Sequence, residues 1–408
     1  MKKKISRSHK KKVALFTTGF PDPTQGGSGI FNYYILLELI RRGYEIDAYF
    51  KNTSIFFNNK INKKYFSKFK KKINNIYFVK DYFFNKFYYF FLFGSNLLKY
   101  LHGYKVCKEF VKKISCNYDA YISLDLGWAL SLKDFSNCLC VLGDPKHLTL
   151  LERNKNNKSL KSIFHYIKAK TMGSRIAISK IGQDLKSKKI IVGSFSRHHA
   201  IEYSKKGFKC ESLEWFSPSV KISDVKFKTK NNFSKNIKFL HVGDLTTTGS
   251  KKDDFYNFND ICKILIKKKR NIEFKFVGRY KKIEQSNFDS IKFIYTGYVE
   301  NLSKFFNNSD IFLYLKKYSV GTRTRILTAM SYGMPVIADV SVRLGLYRLK
   351  NKFNVILIKD LNEFSKVIDD LIINPDILKK ISFNARNTWE KYYNPRKNVP
   401  LLLNKINL

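Results

Sequence analysis

The residues Val320 to Ala338, VGTRTRILTAMSYGMPVIA, put two arginines into the first turn of a predicted helix. Gly321 and Thr322 open that helix. Its leading backbone N–H groups lack partners within the helix, and its dipole places partial positive charge at the same end. Arg323 and Arg325 add full positive charges there. Together these groups suit an anion, above all a phosphate. Ile326, Leu327 and Met330 share the face that buries the helix, and Gly333 and Pro335 end it before the apolar strand Val336-Ile337-Ala338.

Further chemistry is available elsewhere. After the apolar run Cys138–Leu142 the chain reads Gly143-Asp144-Pro145-Lys146-His147, which sets a carboxylate and an imidazole at the end of a strand. Either could orient or deprotonate a hydroxyl. The competing structural reading makes Asp144 a cap for the turn at Pro145 and His147 a surface residue. In Ser194-Phe195-Ser196-Arg197-His198-His199, Ser196 reads as a helix cap, which leaves Arg197, His198 and His199 a weaker claim to chemistry. The sequence has no Asp-x-Asp pair and no His-x-x-x-His with acidic support, so no metal site is expected.

Strands and helices must position these groups. Lys12–Thr18 is an apolar strand, followed by the loop Gly26-Gly27-Ser28-Gly29 and a helix with Ile30, Tyr33, Tyr34, Leu37 and Ile40 on one face. Arg41-Arg42-Gly43 stops that helix before the strand Tyr44–Phe50. The resulting βαβ unit places the glycine loop at the carboxyl edge of a sheet, where such folds bind ligands. Strands are predicted again at 120–125, 138–142, 175–179 and 190–195, which gives a doubly wound parallel sheet. Alternation breaks near Trp215–Ser219, and 221–236 is polar and lysine-rich. A second series of strands then follows at 237–243, 272–278, 291–297, 311–315 and 336–338, three of them ending in glycine. The predicted organisation is a domain over 1–218, a linker over 219–236, a second domain over 237–385, and a terminal helix over 386–408 free to cross back to the first domain.

The order of these features resembles glycosyltransferase family 4 and its relatives of the GT-B fold, over nearly the whole chain. The shared motifs are the first strand with its Gly-Gly loop and Arg-Gly helix end, then Gly243, Gly278, Gly297-Tyr298-Val299 and the segment 321–335. The resemblance implies two Rossmann-like α/β domains facing across a cleft, the second holding a nucleotide-sugar donor and the first a glycan or lipid-linked acceptor. It implies donor contacts at Gly243, Lys251, Gly278, Arg279, Tyr298, Val299, Gly321, Thr322, Arg323, Arg325 and Thr328. The loop Gly26-Gly27-Ser28-Gly29 would line the cleft, with Asp144 and His147 serving the acceptor. Transfer would retain configuration and need no metal and no cofactor, since the nucleotide sugar is itself a substrate. The chain departs from the family at several points. The two usual glutamates, eight positions apart, are Val320 and Thr328 here, and the usual Gly-Arg-Leu with a downstream Lys-Gly becomes Gly243-Asp244-Leu245 with Thr246–Lys251. The arginines at 323 and 325 would replace the missing cations, and a non-catalytic sugar-nucleotide or glycan-binding relative is the alternative.

Composition bounds the rest. A chain of 408 residues with 44% hydrophobic content can bury two cores. No apolar run reaches the ~20 residues that span a bilayer, and no signal peptide is evident, so a cytoplasmic location is expected. The six cysteines form no Cys-x-x-Cys pair, and Cys138 and Cys140 alternate along one strand as buried thiols would. The net charge of +45 comes with excess Asn, Ile, Phe and Tyr along the whole chain and with no nucleic-acid-binding signature, so no nucleic-acid partner is expected. Such a field attracts phosphorylated sugars and anionic membranes. Lys63, Lys64, Lys68, Lys70, Lys71 and Lys72 interleave with Tyr65, Phe66 and Phe69, and an aromatic run follows over 82–93. This mixture suits the inner face of a membrane, whereas the structural alternative buries 87–98 as an ordinary helix.

Overall fold

The computed structural model describes residues 10–17, 21–22, 27–52, 63–80, 110–112, 114, 117–124, 128, 132, 135–143, 167, 190–205, 207–218, 220–225, 236–243, 256–278, 288, 290–299, 301–314, 316–317 and 321–408. The chain divides into two compact units, one of residues 1–213 with 399–408, the other of residues 214–398.

The first unit is built on seven strands: β1 (Lys12–Thr17), β2 (Glu45–Asn52), β3 (Asn75–Lys80), β4 (Ala120–Ser123), β5 (Cys138–Leu142), β6 (Ile190–Ser194) and β7 (Cys210–Ser212). Their order is β3-β2-β1-β4-β5-β6-β7, and every adjacent pair is parallel. Central strands of such a sheet are covered on both faces, which explains why β1 and β5 are apolar runs without alternation. Phe16 stacks on Tyr49 at 4.7 Å and packs against Trp128 at 5.1 Å. Asp47 is a buried carboxylate of this sheet. Asp47 accepts from Tyr118 Oη at 2.6 Å and Asn75 Nδ2 at 2.9 Å, with Lys12 Nζ 3.7 Å away. Burial and that carboxylate push the Tyr118 phenol far above its ordinary pKa, so it stays a donor. Cys138 and Cys140 are buried free thiols, as their spacing predicted.

Helix Gly27–Arg41 follows β1 and closes with Glu38 between Arg41 and Arg42, before Gly43 at φ 74°. Arg42 also donates to Asn404 Oδ1 at 3.2 Å, to the Pro400 carbonyl at 3.3 Å and to the Leu408 carbonyl. Lys11 reaches the Asn407 carbonyl at 2.5 Å, and Lys405 pairs with Glu211 at 2.6 Å. These bonds fasten Val399–Leu408 to the first unit.

The second unit holds β8 (Asn236–Val242), β9 (Asn271–Val277), β10 (Ile291–Tyr295), β11 (Ile311–Tyr314), β12 (Val336–Asp339) and β13 (Ile356–Ile358), parallel in the order β10-β9-β8-β11-β12-β13. Each sheet face has its own core. Phe239, Phe274, Phe276, Leu313 and Ile337 meet helices Phe258–Ile266 and Leu361–Ile373, while Leu240, Phe312, Val336 and Ala338 meet Thr324–Ser331 and Asp376–Tyr392. Both are therefore doubly wound sheets of Rossmann type, as the rhythm of the sequence predicts.

The predicted strand 175–179 and the helix 87–98 lie outside the described residues. Ser196 does precede the helix Arg197–Ser204, but its side chain makes no capping bond. Among the described residues, no helix is long and apolar enough to cross a membrane.

Candidate functional site

In a doubly wound sheet the ligand crevice opens where the strand order reverses. In the second unit that point lies between β8 and β11. Their pairing stops at Leu240 with Phe312, although β8 stays paired with β9 through Val242, so β8 and β11 part beyond Leu240. His241 sits at this fork. Its Nδ1 lies 2.8 Å from the Leu313 carbonyl, so a side chain bridges the two strands just beyond their last paired residues. The ring is fully buried and lies parallel to Phe312 at 6.3 Å. Burial pushes the imidazole down to about 4, with the Leu313 bond opposing and the Arg325 charge adding to the effect. The ring is neutral at physiological pH. As the Leu313 oxygen can only accept, Nδ1 carries the hydrogen and Nε2 the lone pair.

The β8 chain then turns at Gly243 with φ 114°, a conformation that favours glycine. The site also demands glycine for want of space. A Cβ on Gly243 would fall 2.5 Å from Arg325 Nε and closer still to Cζ, so the guanidinium lies directly over this Cα. Gly278, after β9, has φ 135°, and a Cβ there would meet the Gly243 carbonyl oxygen at 2.8 Å. The Gly243 N–H is spent on the Val277 carbonyl at 2.7 Å and the Gly278 N–H on Gly297 at 2.8 Å, which locks the three strand ends side by side. Tyr298 projects beyond them, 64% exposed, and Val299 packs back against the core.

Helix Thr324–Ser331 begins later than predicted. Gly321 at φ 79° and Thr322 form a turn ahead of it, and Arg323 is the N-cap residue, with no side-chain capping bond. Gly345 explains the turn: a Cβ there would collide with the Gly321 carbonyl and approach Thr322 N at 3.0 Å, so a second glycine presses this peptide into place. Gly345 and His241 were not among the predicted site residues. The Thr328 hydroxyl donates to the Thr324 carbonyl at 2.9 Å, so its hydrogen is directed into its own helix rather than toward a ligand.

The far end of the same helix is anchored. Ser382 donates to the Gly333 carbonyl, and the buried Arg386 donates to the Ser331 carbonyl, to Val220 at 2.9 Å and to Glu390, with its guanidinium 4.7 Å over the Trp389 ring. Trp389 Nε1 donates to Ser217 Oγ at 2.6 Å.

In the first unit the strand order reverses between β1 and β4. Asn32 Nδ2 donates to Thr17 Oγ1 at 2.7 Å, and both are buried, as is Asp22. The Asn32–Thr17 bond ties the helix Gly27–Arg41 to the end of β1, and only tertiary structure discloses it. Gly143 receives Tyr203 Oη at 2.8 Å, but Asp144 and His147 lie outside the described residues, as do Gly26, Lys251 and Arg279. Of the predicted membrane-facing group, Lys63–Lys70 is a helix and Lys70, Lys71 and Lys72 are exposed. Lys68 is exposed as well and donates to Tyr33 Oη at 2.8 Å, while Phe69 is buried against Tyr33, so the Phe69 ring is core and not a bilayer contact. Among the described residues no group of three or more His, Cys, Asp or Glu could hold a metal ion.

Residues 236–374 match the family model of glycosyl transferases group 1. No protein of curated function matches the sequence significantly. Solved structures share the fold at low identity. Anabaena HepE, solved in complex with UDP and glucose, is 11% identical with a TM-score of 0.60, covering 98% of this chain and 100% of its own. Sucrose-phosphate synthase from Thermosynechococcus elongatus is 12% identical with a TM-score of 0.63, covering 98% of each chain. The lipopolysaccharide outer core galactosyltransferase WaaB is 15% identical with a TM-score of 0.59, covering 97% of this chain and 99% of its own. The segment 236–374, which contains the switch-point glycines and both arginines, thus matches the group 1 glycosyl transferases, in a chain that shares its fold with GT-B glycosyltransferase structures.

Proposed function

We propose that this protein transfers a sugar from a nucleotide-sugar donor to a glycan or lipid-linked acceptor in the synthesis of a surface polysaccharide. The observation that carries the reading is Arg325 seated over Gly243 at the switch point of the second sheet. A donor's diphosphate would lie there, against Arg325, Arg323 and the start of helix Thr324–Ser331. Positive charge fixed at that place is worth most as the leaving diphosphate gains charge. The UDP and glucose bound by HepE support a nucleotide-sugar ligand of this kind. Tyr298 offers an exposed ring for the base, while Gly278 and Gly321 keep the backbone close. Lys251, Arg279, Val299 and Thr322 complete the donor contacts.

With two arginines and a helix terminus to hold the diphosphate, the transfer is metal-independent, and retention follows if the diphosphate oxygen takes the acceptor proton. Asp144 or His147 would orient the acceptor hydroxyl. The exposed lysines after helix Lys63–Lys70 would bring the first unit to an anionic membrane at the cytoplasmic face. The match to group 1 favours transfer over a binding-only relative. A thermal-shift panel of nucleotide sugars tests the reading, since ligand at 100 times its Kd adds about 2.7 kcal/mol of stability. One donor should raise Tm and yield product with a glycan or polyprenyl-phosphate acceptor. No shift with any donor would reject it.

A further inference from the structure

The strand order of the second sheet, β10-β9-β8-β11-β12-β13, also ranks the parts of a ligand laid along its carboxyl edge. With Tyr298, beyond β10, offered to the base and Gly243, beyond β8, to the diphosphate, the sugar comes to the ends of β11 and β12. We propose that Lys317, three residues past the end of β11, is a specificity-determining residue that takes the carboxylate of a hexuronate, so that the donor is a nucleoside-diphosphate uronic acid. The inference rests on the donor-site reading and deepens it by naming the class of sugar.

Several strand ends build the seat of this lysine. Lys317 Nζ lies 4.6 Å from the centroid of the Tyr256 ring. That ring is buried and fixed: Tyr256 Oη donates to Oδ2 of Asp339, the last residue of β12, at 2.6 Å and shares its hydrogen with the carbonyl of Lys359, just past β13, at 3.0 Å. Burial and the Asp339 carboxylate push the phenol far above its ordinary pKa, so the ring beneath the ammonium stays neutral. An aromatic face attracts an ammonium without cancelling its charge and without using any of its three N–H donors. Among the described residues Lys317 has no hydrogen bond and no ion pair, so charge and donors are both left for a ligand. The acids around Tyr256 are engaged. Asp339 Oδ1 accepts from Ser341 N at 2.9 Å, Asp360 from Glu363 N at 2.8 Å, and Glu363 from Lys359 N at 2.8 Å.

The spacing places this seat past the diphosphate. The 3-10 helix Val340–Leu344 runs from Asp339 to Gly345, and Gly345 presses on the Gly321 peptide ahead of Arg323. Five residues at a rise of ~2 Å separate those two ends by about 10 Å. Lys317 therefore stands at the reach of the sugar attached to a diphosphate held by Arg325. A neutral hexose would leave the ammonium to water, whereas a uronate gives it a charge-assisted hydrogen bond.

Isothermal titration of the full chain compares UDP-glucuronate with UDP-glucose and UDP-galacturonate with UDP-galactose, or GDP-mannuronate with GDP-mannose if wild type binds only GDP. We expect one uronate to bind about tenfold more tightly than its neutral partner. Lys317→Met keeps an apolar stem on Tyr256 and loses the charge. It should bring that ratio to about one and leave the affinity for the nucleoside diphosphate alone unchanged, while Lys317→Arg should keep most of the preference. Should the Met variant melt below wild type, Lys317→Gln takes its place. Three results would each overturn the inference and leave the donor site intact: neutral sugars binding as tightly as uronates in every pair, a preference that survives the loss of the charge, or an equal loss of affinity for the bare nucleotide, which would put the lysine at the diphosphate. No binding of either nucleotide by wild type sinks both readings together.

Discussion

Gly243→Ala separates the steric argument for the anion site from a purely conformational one. Two costs arise. The backbone at φ 114° lies outside the regions that L-residues populate, which costs roughly 1–3 kcal/mol in fold stability. The new methyl would also stand 2.5 Å from Arg325 Nε, where ordinary contact needs 3.4 Å or more, so the guanidinium must retreat by about an ångström or leave. Displacing it removes charge-assisted hydrogen bonds of about 1.5–3 kcal/mol from a bound diphosphate, a loss of roughly 10- to 150-fold in affinity. Urea melts read the first cost and calorimetric titration with UDP the second. In the double variant Gly243→Ala/Arg325→Ala the clash is gone and the backbone cost remains, so its melt should show less destabilisation than the two single changes sum to. A Gly243→Ala protein that is destabilised yet binds UDP like wild type would refute the placement of Arg325 at the diphosphate.

Arg323→Ala and Arg325→Ala should each cost about 1.5–3 kcal/mol of transition-state stabilisation, mostly as lower kcat, and wild-type kinetics in both would reject their role. His241 takes up a proton near pH 6.5 in the unfolded chain and only near 4 in the fold. Stability from this ring is therefore complete above pH 6.5 and is lost as pH falls toward 4, by about 3 kcal/mol, and His241→Phe should flatten that window in urea melts. Asp144→Asn or His147→Ala should slow transfer and leave nucleotide affinity unchanged, and a matching loss of nucleotide affinity would remove them from the acceptor role. Changing Lys63, Lys64, Lys68, Lys70, Lys71 and Lys72 to Gln should release the protein from anionic vesicles at low salt, and undiminished sedimentation with vesicles would place the contact elsewhere.

Many strands were legible because both sheets are covered on two faces, so apolar runs such as Val13–Phe16 and Ile311–Tyr314 announce themselves without alternation. Glycines at strand ends and the spacing of Ile326, Leu327 and Met330 disclosed the turns at 243, 278 and 297 and the buried face of helix Thr324–Ser331 for the same reason: local pattern and local geometry agree there. The missed features all depend on partners distant in sequence. His241 reads as one polar residue in an apolar strand until Leu313, 72 residues on, is seen to accept its bond. Gly345 has no local signal, since what demands a glycine there is the Gly321 peptide pressed against it. Phe69 looked exposed amid lysines because an eight-residue helix with one buried ring has too little pattern to show its inner face.

Arg386 and Ser382 give helix Thr324–Ser331 an electrical asymmetry. They close the carbonyl end of a short helix with a buried cation and a hydroxyl, which screens its negative pole from the rest of the unit. The positive pole, ahead of Thr324, has no such counterpart among the side-chain caps. Helix Asp376–Tyr392, which supplies both groups, therefore acts on the proposed anion site from the opposite pole. A residue that never approaches the ligand can raise the potential it meets, and Arg386→Met would lower that potential through the helix alone.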